Sequence, residues 1–407
     1  MGKLGSSLSI SSHVSILDSI DAWQRITDPR FNPLLAELAQ LGGAVIDPAL
    51  VTRLRRDYEA EDLAVGFELH AARRRARAKF PNADQMLCDL EGVAQSSGAK
   101  VAEHKAERFR DRSRIVDLCC GIGGDTMALA KVGQDVSGVD FCPVRAQMAQ
   151  HNAGVPIESC DVASQSMANA WVHIDPGRRS GGRRLWRYED LQPGPDVVEP
   201  LLSAAAGAAL KLGPGIDWTE IPDSRNRECE VIGDRSGLLQ AVIWCGDLVR
   251  AQGQHTATRL QDGLSYSAVP DDFLVVASKP GHFLVIPDPA LERSRLVAPR
   301  IGSRDVFELA AGLGWLTSDE PSGDPWFEEH EILAAMPWRP RKIREWLQAH
   351  DGGTVTVRTR AGAIHTDREQ SALRGNGMQA YTVFGVREGK RIVCYITAGA
   401  TEFSETE

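Results

Sequence analysis

Ile115-Val-Asp-Leu-Cys-Cys-Gly-Ile-Gly-Gly-Asp125 decides the reading of the fold. The apolar run of Ile115, Val116 and Leu118 breaks into Gly121, Gly123 and Gly124, and a helix-like segment follows through Lys131. That order predicts a strand, a tight turn and a helix, with glycines where backbone must approach a ligand more closely than a side chain would allow. A second apolar segment, Val136-Ser-Gly-Val-Asp140, ends in an acid. At the tip of a second parallel strand, a carboxylate can accept both ribose hydroxyls of an adenosine-containing cofactor.

A dinucleotide fingerprint needs Gly-x-Gly-x-x-Gly, its third glycine for close packing of the helix. Here Thr126 takes that place, and Asp117 stands ahead of the turn. An acid at the end of the first strand suits a cationic amino-acid moiety and would repel a pyrophosphate. In these residues the turn resembles that of class I S-adenosylmethionine-dependent methyltransferases. The resemblance implies S-adenosyl-L-methionine as cofactor. Asp117, Cys119, Gly121, Gly123 and Gly124 would then surround its methionine part, with Asp140 and the adjoining Phe141 at the nucleoside. Asp161 follows a third strand, Val155-Pro-Ile-Glu158, and is placed to accept from the adenine amino group. It serves equally well as a turn or N-cap aspartate.

At 407 residues the chain is long enough for two or three domains, and its 43 % hydrophobic and 25 % charged residues are those of a globular protein. No run of about 18 apolar residues is present, so no membrane-spanning helix is expected. The first residues lack the apolar core of a signal peptide, which points to the cytoplasm. The eight cysteines form no Cys-x-x-Cys pair and have no histidine-rich neighbourhood, so they are expected to be buried thiols, and no metal is expected. The net charge of −9 argues against indiscriminate polyanion binding. Basic clusters nevertheless stand at Arg73–Lys79, Arg178–Arg187 and Arg339–Arg344, and local potential is what guides a phosphate backbone.

Residues 1–110 read as a helical N-terminal region, with Leu34, Leu35, Leu38 and Leu41 at helical spacing and Asp47-Pro48 as a helix start. Residues 111–272 alternate strand and helix as a Rossmann-like, doubly wound α/β domain requires. Strands are expected near 114–118, 135–139, 156–159, 171–174, 207–212, 227–233 and 239–245, and helices near 125–132, 143–151 and 196–205. Residues 251–272 lack clear periodicity and read as a linker or excursion. Residues 273–407 suggest a small α+β module, with strands at Phe283–Ile286, Thr354–Arg360 and Arg391–Ile396 and a helix at Lys342–Gln348.

Ala170-Trp-Val-His-Ile-Asp-Pro-Gly-Arg-Arg179 is the second informative motif. An apolar fourth strand delivers Asp175 and Pro176 to the carboxyl edge of the sheet, where ligands of open α/β folds bind. Amino-methylating enzymes of this class often carry Asp-Pro-Pro and an aromatic residue there. The carboxylate and a backbone carbonyl accept the N–H bonds of a poorly nucleophilic planar amine, and proline fixes the turn. Asp175 and Pro176 are accordingly the candidate catalytic pair. In this chain Gly177 replaces the second proline and Arg178 the aromatic residue, while Trp186 follows and can supply stacking. Gly177, Arg178, Arg179 and Trp186 are the candidate substrate contacts, and the alternative is a basic loop that closes over the cofactor without touching substrate.

Together with Lys211-Leu-Gly-Pro-Gly-Ile-Asp217 and Glu228-Cys-Glu230, these motifs resemble a bacterial family of class I methyltransferases that carry a C-terminal THUMP-like domain. That family is distantly similar to RNA cap guanine-N2 methyltransferases. The resemblance implies methyl transfer to a nitrogen of structured RNA, with RNA as partner. Two alternatives stay open: a protein or small-metabolite acceptor, and a non-catalytic RNA-binding protein that retains a nucleoside pocket.

Overall fold

The computed structural model describes residues 19–41, 47–177, 179–180, 183–184, 187–222 and 224–399. The chain divides into two compact units. The first holds the residues up to Asp234, Leu239–Gly253 and Arg259–Leu264. The second holds Arg235–Leu238, Gln254–Thr258 and the chain from Ser265 onward.

The first unit begins with six helices: α1 (Ile20–Arg25), α2 (Asn32–Gln40), α3 (Pro48–Leu54), α4 (Ala60–Ala76), α5 (Leu90–Gln95) and α6 (Ala99–Ala106). The Asp-Pro start read from the sequence is the N-terminus of α3, where Asp47 accepts from the Ala49 N–H at 2.9 Å and Pro48 occupies the first helical position. Trp23, Ile26, Leu34, Leu38 and Leu69 are fully buried in one apolar cluster. Ile122, Val144 and Met148, which lie beyond the helices in sequence, belong to the same cluster.

Next come β1 (Ile115–Leu118), α7 (Gly124–Val132), β2 (Val136–Asp140), α8 (Pro143–Ala153), β3 (Ile157–Ser159) and β4 (Trp171–Ile174). A two-residue ribbon, β5 (Arg179–Ser180) and β6 (Arg183–Arg184), leads to α9 (Pro195–Ala204), β7 (Gly207–Leu212), β8 (Glu228–Asp234) and β9 (Gly237–Gly246). Within this unit the sheet order is β8-β9-β7-β4-β1-β2-β3. β1 pairs in parallel with β2 and β4, β2 with β3, and β4 with β7, whereas β9 runs antiparallel to β7. Strand order therefore reverses between β1 and β4, and the carboxyl ends of those two strands form the crevice where such sheets bind ligands. This is the Rossmann-like α/β fold expected, and each strand and helix expected between 114 and 245 is present within a residue or two at its ends.

Arg108 anchors the helical layer. Its guanidinium donates to both carboxylate oxygens of Glu228 at 2.7 Å and lies 4.1 Å from the Trp244 ring centre. The buried Glu230 accepts from the Trp244 indole at 2.8 Å and pairs with His104 at 2.7 Å. The Glu-Cys-Glu motif thus supplies buried acceptors to side chains of the N-terminal segment.

Residues 251–272 are not irregular. They contain β10 (His255–Arg259) and β11 (Leu264–Ala268). β10 buries His255, Thr256 and Thr258, and hydroxyl pairs link Thr256 to Ser267 at 2.8 Å and Thr258 to Ser265 at 3.3 Å. A strand whose inward side chains are hydrogen-bonded hydroxyls shows no apolar period, which is why the sequence hid it.

The second unit continues with β12 (Phe283–Pro287), α10 (Pro289–Arg293), α11 (Val297–Ile301), β13 (Val306–Glu308), β14 (Leu316–Ser318), β15 (Phe327–Pro337), α12 (Pro340–Ala349), β16 (Gly352–Thr359), α13 (Thr366–Leu373), β17 (Gln379–Glu388) and β18 (Arg391–Ala398). Its sheet runs β13-β14-β12-β15-β18-β17-β16, with β16 parallel to β17. Ile343 and Leu347, one helical turn apart on α12, pack into a core with Val355, Val383 and Ile396. Of the segments not read from the sequence, β15 buries only Phe327 and otherwise mixes half-buried with exposed residues, and β13 and β14 are three residues each.

Candidate functional site

β1 is buried along its whole length, and the chain reverses directly after it. Cys119 (φ 56°), Gly121 (φ 56°) and Gly123 (φ 84°) adopt left-handed backbone. A Cβ on Gly123 would stand 3.0 Å from the Ala149 backbone, so that glycine lets the turn seat on α8. A Cβ on Gly121 would meet nothing within 4 Å, so the turn is open on that side. Asp140, at the end of β2, accepts from the Gly121 N–H at 2.7 Å and from the Cys142 N–H at 2.9 Å. Burial raises its carboxyl above the usual aspartate range, against the lowering effect of those two donors. Phe141 beside it is 79 % exposed. Asp161 is exposed after β3 and caps a short 3-10 turn, accepting from the Ala163 N–H at 2.9 Å.

Asp117 is completely buried. One of its oxygens accepts from the Thr126 hydroxyl at 2.5 Å and the other pairs with His173 Nδ1 at 2.7 Å. Thr126, read from the sequence only as a missing glycine, is therefore a ligand of the acid ahead of the turn. His173 lies on β4 directly opposite Asp117 in the β1–β4 register. Its Nε2 lies 3.1 Å from the ammonium of Lys105, which has only donors to offer, so Nε2 accepts and Nδ1 donates to Asp117.

Lys105 comes from α6 and is wholly buried. Its Nζ pairs with Asp125 at 2.7 Å, and Ser97 donates to the same carboxylate at 2.7 Å. Burial alone would raise the Asp125 carboxyl, but the Lys105 ammonium, with Lys211 beyond it, holds it far below the usual range. Burial pushes the Lys105 ammonium downward, with Asp125 opposing. Lys211, on β7 and 2 % exposed, forms an ion pair with Asp175 and donates to the Gln95 carbonyl at 3.4 Å. The Asp175 side chain is 23 % exposed, and its N–H donates to Leu118 O at 3.1 Å, extending the β1–β4 pairing by one rung.

Asp117, Cys119, Asp125 and Asp175 line a cavity of about 30 Å³ together with Gln95 and Ser96 from the end of α5. A side chain on Gly124 would collide with the Ser96 hydroxyl, which shows how closely α5 approaches the turn. Two cationic contacts hold α5 there. Lys79 donates to the carbonyls of Val93 (2.7 Å), Ala94 (3.3 Å) and Ser96 (2.8 Å), and Arg145 reaches Glu91 (3.0 Å) and Asp89 (3.2 Å). Burial, reinforced by Lys211 and Arg75, lowers Lys79 to about 8.

The structure thus gathers Asp117, Cys119, Gly121, Gly124, Asp140 and Asp175 at the carboxyl ends of β1, β2 and β4. Pro176 follows Asp175, and Gly177 exchanges backbone hydrogen bonds with Gln192 at 2.6 and 3.0 Å. Arg178 and Trp186 lie outside the described residues, and Arg179 is described only as backbone of β5. Asp217 caps a turn through the Thr219 N–H at 2.9 Å, and Trp218 is buried. Sequence reasoning missed Lys105 and the roles of Lys211 and His173. For the last two a signal existed: each is a lone ionisable residue inside an otherwise apolar strand.

Much of the basic sequence is engaged internally. Arg73 donates to Met86 O, Arg77 pairs with Asp84, Arg344 donates to Ala372 O, Arg358 pairs with Glu328, and Arg360 with Glu292. Arg339 and Lys342 are exposed. All eight cysteines are free thiols. Among the described residues there is no group of three or more His, Cys, Asp or Glu that could hold a metal, and no helix is long and apolar enough to cross a membrane.

Comparison with known proteins agrees with this geometry. The model of the RNA cap guanine-N2 methyltransferase family matches residues 112–164, the span from β1 through the Asp161 turn. An uncharacterized S-adenosylmethionine-dependent methyltransferase of Mycobacterium tuberculosis (strain CDC 1551 / Oshkosh) is 32 % identical over 341 residues, covering 80 % of this chain and 93 % of its own. A counterpart in strain ATCC 25618 / H37Rv matches to the same extent. The crystal structure of a "putative methyltransferase" from Porphyromonas gingivalis W83 shares the fold with a TM-score of 0.72 at 16 % identity, over 92 % of this chain and 99 % of its own.

Proposed function

Because the chain belongs to the S-adenosylmethionine-dependent methyltransferases, we propose that it transfers the methyl group to a nitrogen of structured RNA, with Asp175 holding the acceptor. The observation that carries this reading is the placement of a partly exposed carboxylate, Asp175, at the reversal point of strand order and on the same cavity as the glycine turn. The match to RNA cap guanine-N2 methyltransferases over residues 112–164 supports the choice of an RNA nitrogen.

The residues of the turn suit the cofactor chemically. Gly121 leaves its outer side clear for a close approach. Each Asp140 oxygen accepts one backbone N–H and keeps a lone pair for a ribose hydroxyl. Phe141 offers an exposed ring beside it to cover the adenine, and Asp161 stands at the next strand end. Asp117, Cys119, Gly123 and Gly124 would hold the methionine part. When bound, S-adenosylmethionine supplies a methyl group activated on a sulfonium. Asp175 would accept an N–H of the acceptor and turn its lone pair toward that methyl, while Pro176 restricts the backbone. Gly177, Arg178, Arg179 and Trp186 would contact the substrate. In this reading residues 1–110 and 111–272 form the helical and catalytic parts, and 273–407 is a THUMP-like domain with Arg339 and Lys342 available to phosphates.

A second reading, methylation of a protein or small metabolite, is favoured by two observations. Gly177 stands where an amine-methylating loop has its second proline, and the arginines and lysine at 73, 77, 79, 344, 358 and 360 already have partners within the chain. Incubation with methyl-labelled cofactor and separated RNA, protein and metabolite fractions decides between them. Label in RNA that is retained on a nucleoside methylated at nitrogen is the expected result. Label confined to protein or to small molecules sinks the RNA reading.

A further inference from the structure

Four charged side chains alternate in sign beneath the cavity: Asp175, Lys211, Asp125 and Lys105. Lys105 and Ser97 already meet Asp125 at 2.7 Å each, whereas Lys211 stands 3.9 Å from it and directly against Oδ2 of Asp175. Lys211 is therefore spent mainly on Asp175. Burying an ammonium for stability alone is a poor arrangement, since an apolar side chain of similar volume commonly serves as well. An ammonium in that place does something an apolar residue cannot: it fixes the orientation of a carboxylate whose other edge stays open. The same ammonium donates to the Gln95 carbonyl, next to the three carbonyls that Lys79 takes, so the end of α5 is referenced to the same point.

We propose that Lys211 is a positioning residue for methyl transfer: it occupies Oδ2 of Asp175 so that Oδ1 alone faces the acceptor N–H. This rests on the reading of Asp175 as the group that holds the acceptor. Each carboxylate oxygen has two lone-pair directions, and free rotation would let either oxygen meet the acceptor in several poses. Clamping one oxygen removes that freedom, and a misplacement of about 1 Å costs about 10²-fold in such steps.

The test compares wild type with Lys211→Met, which keeps most of the length of the side chain and removes its charge. Crystal structures with S-adenosylhomocysteine bound, calorimetry with the same compound, and single-turnover transfer to whichever fraction wild type labels are measured together. The expected result is affinity within about threefold, an Asp175 carboxylate displaced by about 1 Å or more, and transfer slowed by about 10²-fold. The double variant Lys211→Met/Asp175→Asn should be no slower than Asp175→Asn, because Lys211 acts through Asp175. Should Lys211→Met fail to fold, Lys211→Ala leaves room for ethylammonium, which should restore transfer where tetramethylammonium at equal ionic strength does not. A carboxylate that keeps its place without Lys211 overturns the proposal whatever the acceptor is, and so does additive loss in the double variant. A displaced carboxylate with transfer at the wild-type rate upholds the grip of Lys211 on Asp175 and removes instead the acceptor-holding reading of Asp175.

Discussion

The Asp140 carboxylate ties the glycine turn to the start of α8 through two backbone donors, and it is the acid best placed for a ribose. Asp140→Ala is expected to weaken S-adenosylhomocysteine binding by about 1.5–3 kcal/mol, the range for hydrogen bonds to a charged group. Calorimetry showing unchanged affinity would strip Asp140 of that role. Thr126 makes a sharper case. Thr126→Val keeps the shape and leaves one oxygen of the buried Asp117 without its hydroxyl donor, so urea unfolding should show a loss of about 1–3 kcal/mol. Thr126→Ser should keep most of the stability, and a loss in Thr126→Ser with none in Thr126→Val would mean the methyl group and not the hydroxyl matters. The positions of Asp117 and Asp140 were legible because strand ends in this fold point at one crevice. The bond from Thr126 to Asp117 was not, because it depends on how tightly the turn folds back. Lys105 was invisible for a different reason: a lysine on a helix is normally solvated, and nothing local marks one that crosses into the sheet.

Helix α5 has six residues, too few to persist alone, and its place depends on the cations at its ends. Lys79 releases its proton near 8 in the fold and near 10.5 in the unfolded chain. Across that window the unfolded chain binds more protons, so the contribution of Lys79 to stability rises with pH. The same deprotonation removes the ammonium that holds Val93, Ala94 and Ser96. Two opposite trends should follow above pH 8: urea midpoints gain from this residue, while amide exchange over residues 93–97 quickens beyond its intrinsic rate. Lys79→Met should flatten the first trend and abolish the second, and curves parallel to wild type in both would refute the account. The strands and helices from 114 to 245 were readable from apolar runs bounded by Gly, Pro and Asp. The β10–β11 hairpin was not, because hydroxyl pairs fill its inner face, and β13 and β14 are too short to show a period.

For the molecule as a whole, acidic charge with scattered basic residues makes salt dependence the discriminating measurement. If RNA is the substrate and Arg339 and Lys342 meet its phosphates, removing both charges should lower the slope of log affinity against log salt by roughly two. An unchanged slope would place the contacts elsewhere, and no RNA binding at any salt would favour the other acceptors. Arg344, Arg358 and Arg360 are poorer choices for this test, since each already has a protein partner. The helical layer carries one more consequence. Its apolar cluster is completed by Ile122, Val144 and Met148. A ribosome delivers those three residues only after every helix they cover has been made. The first five helices therefore wait, their shared cluster incomplete, until synthesis has passed the end of α8, and a nascent chain halted before residue 122 should be held by chaperones where one halted well after residue 153 is released.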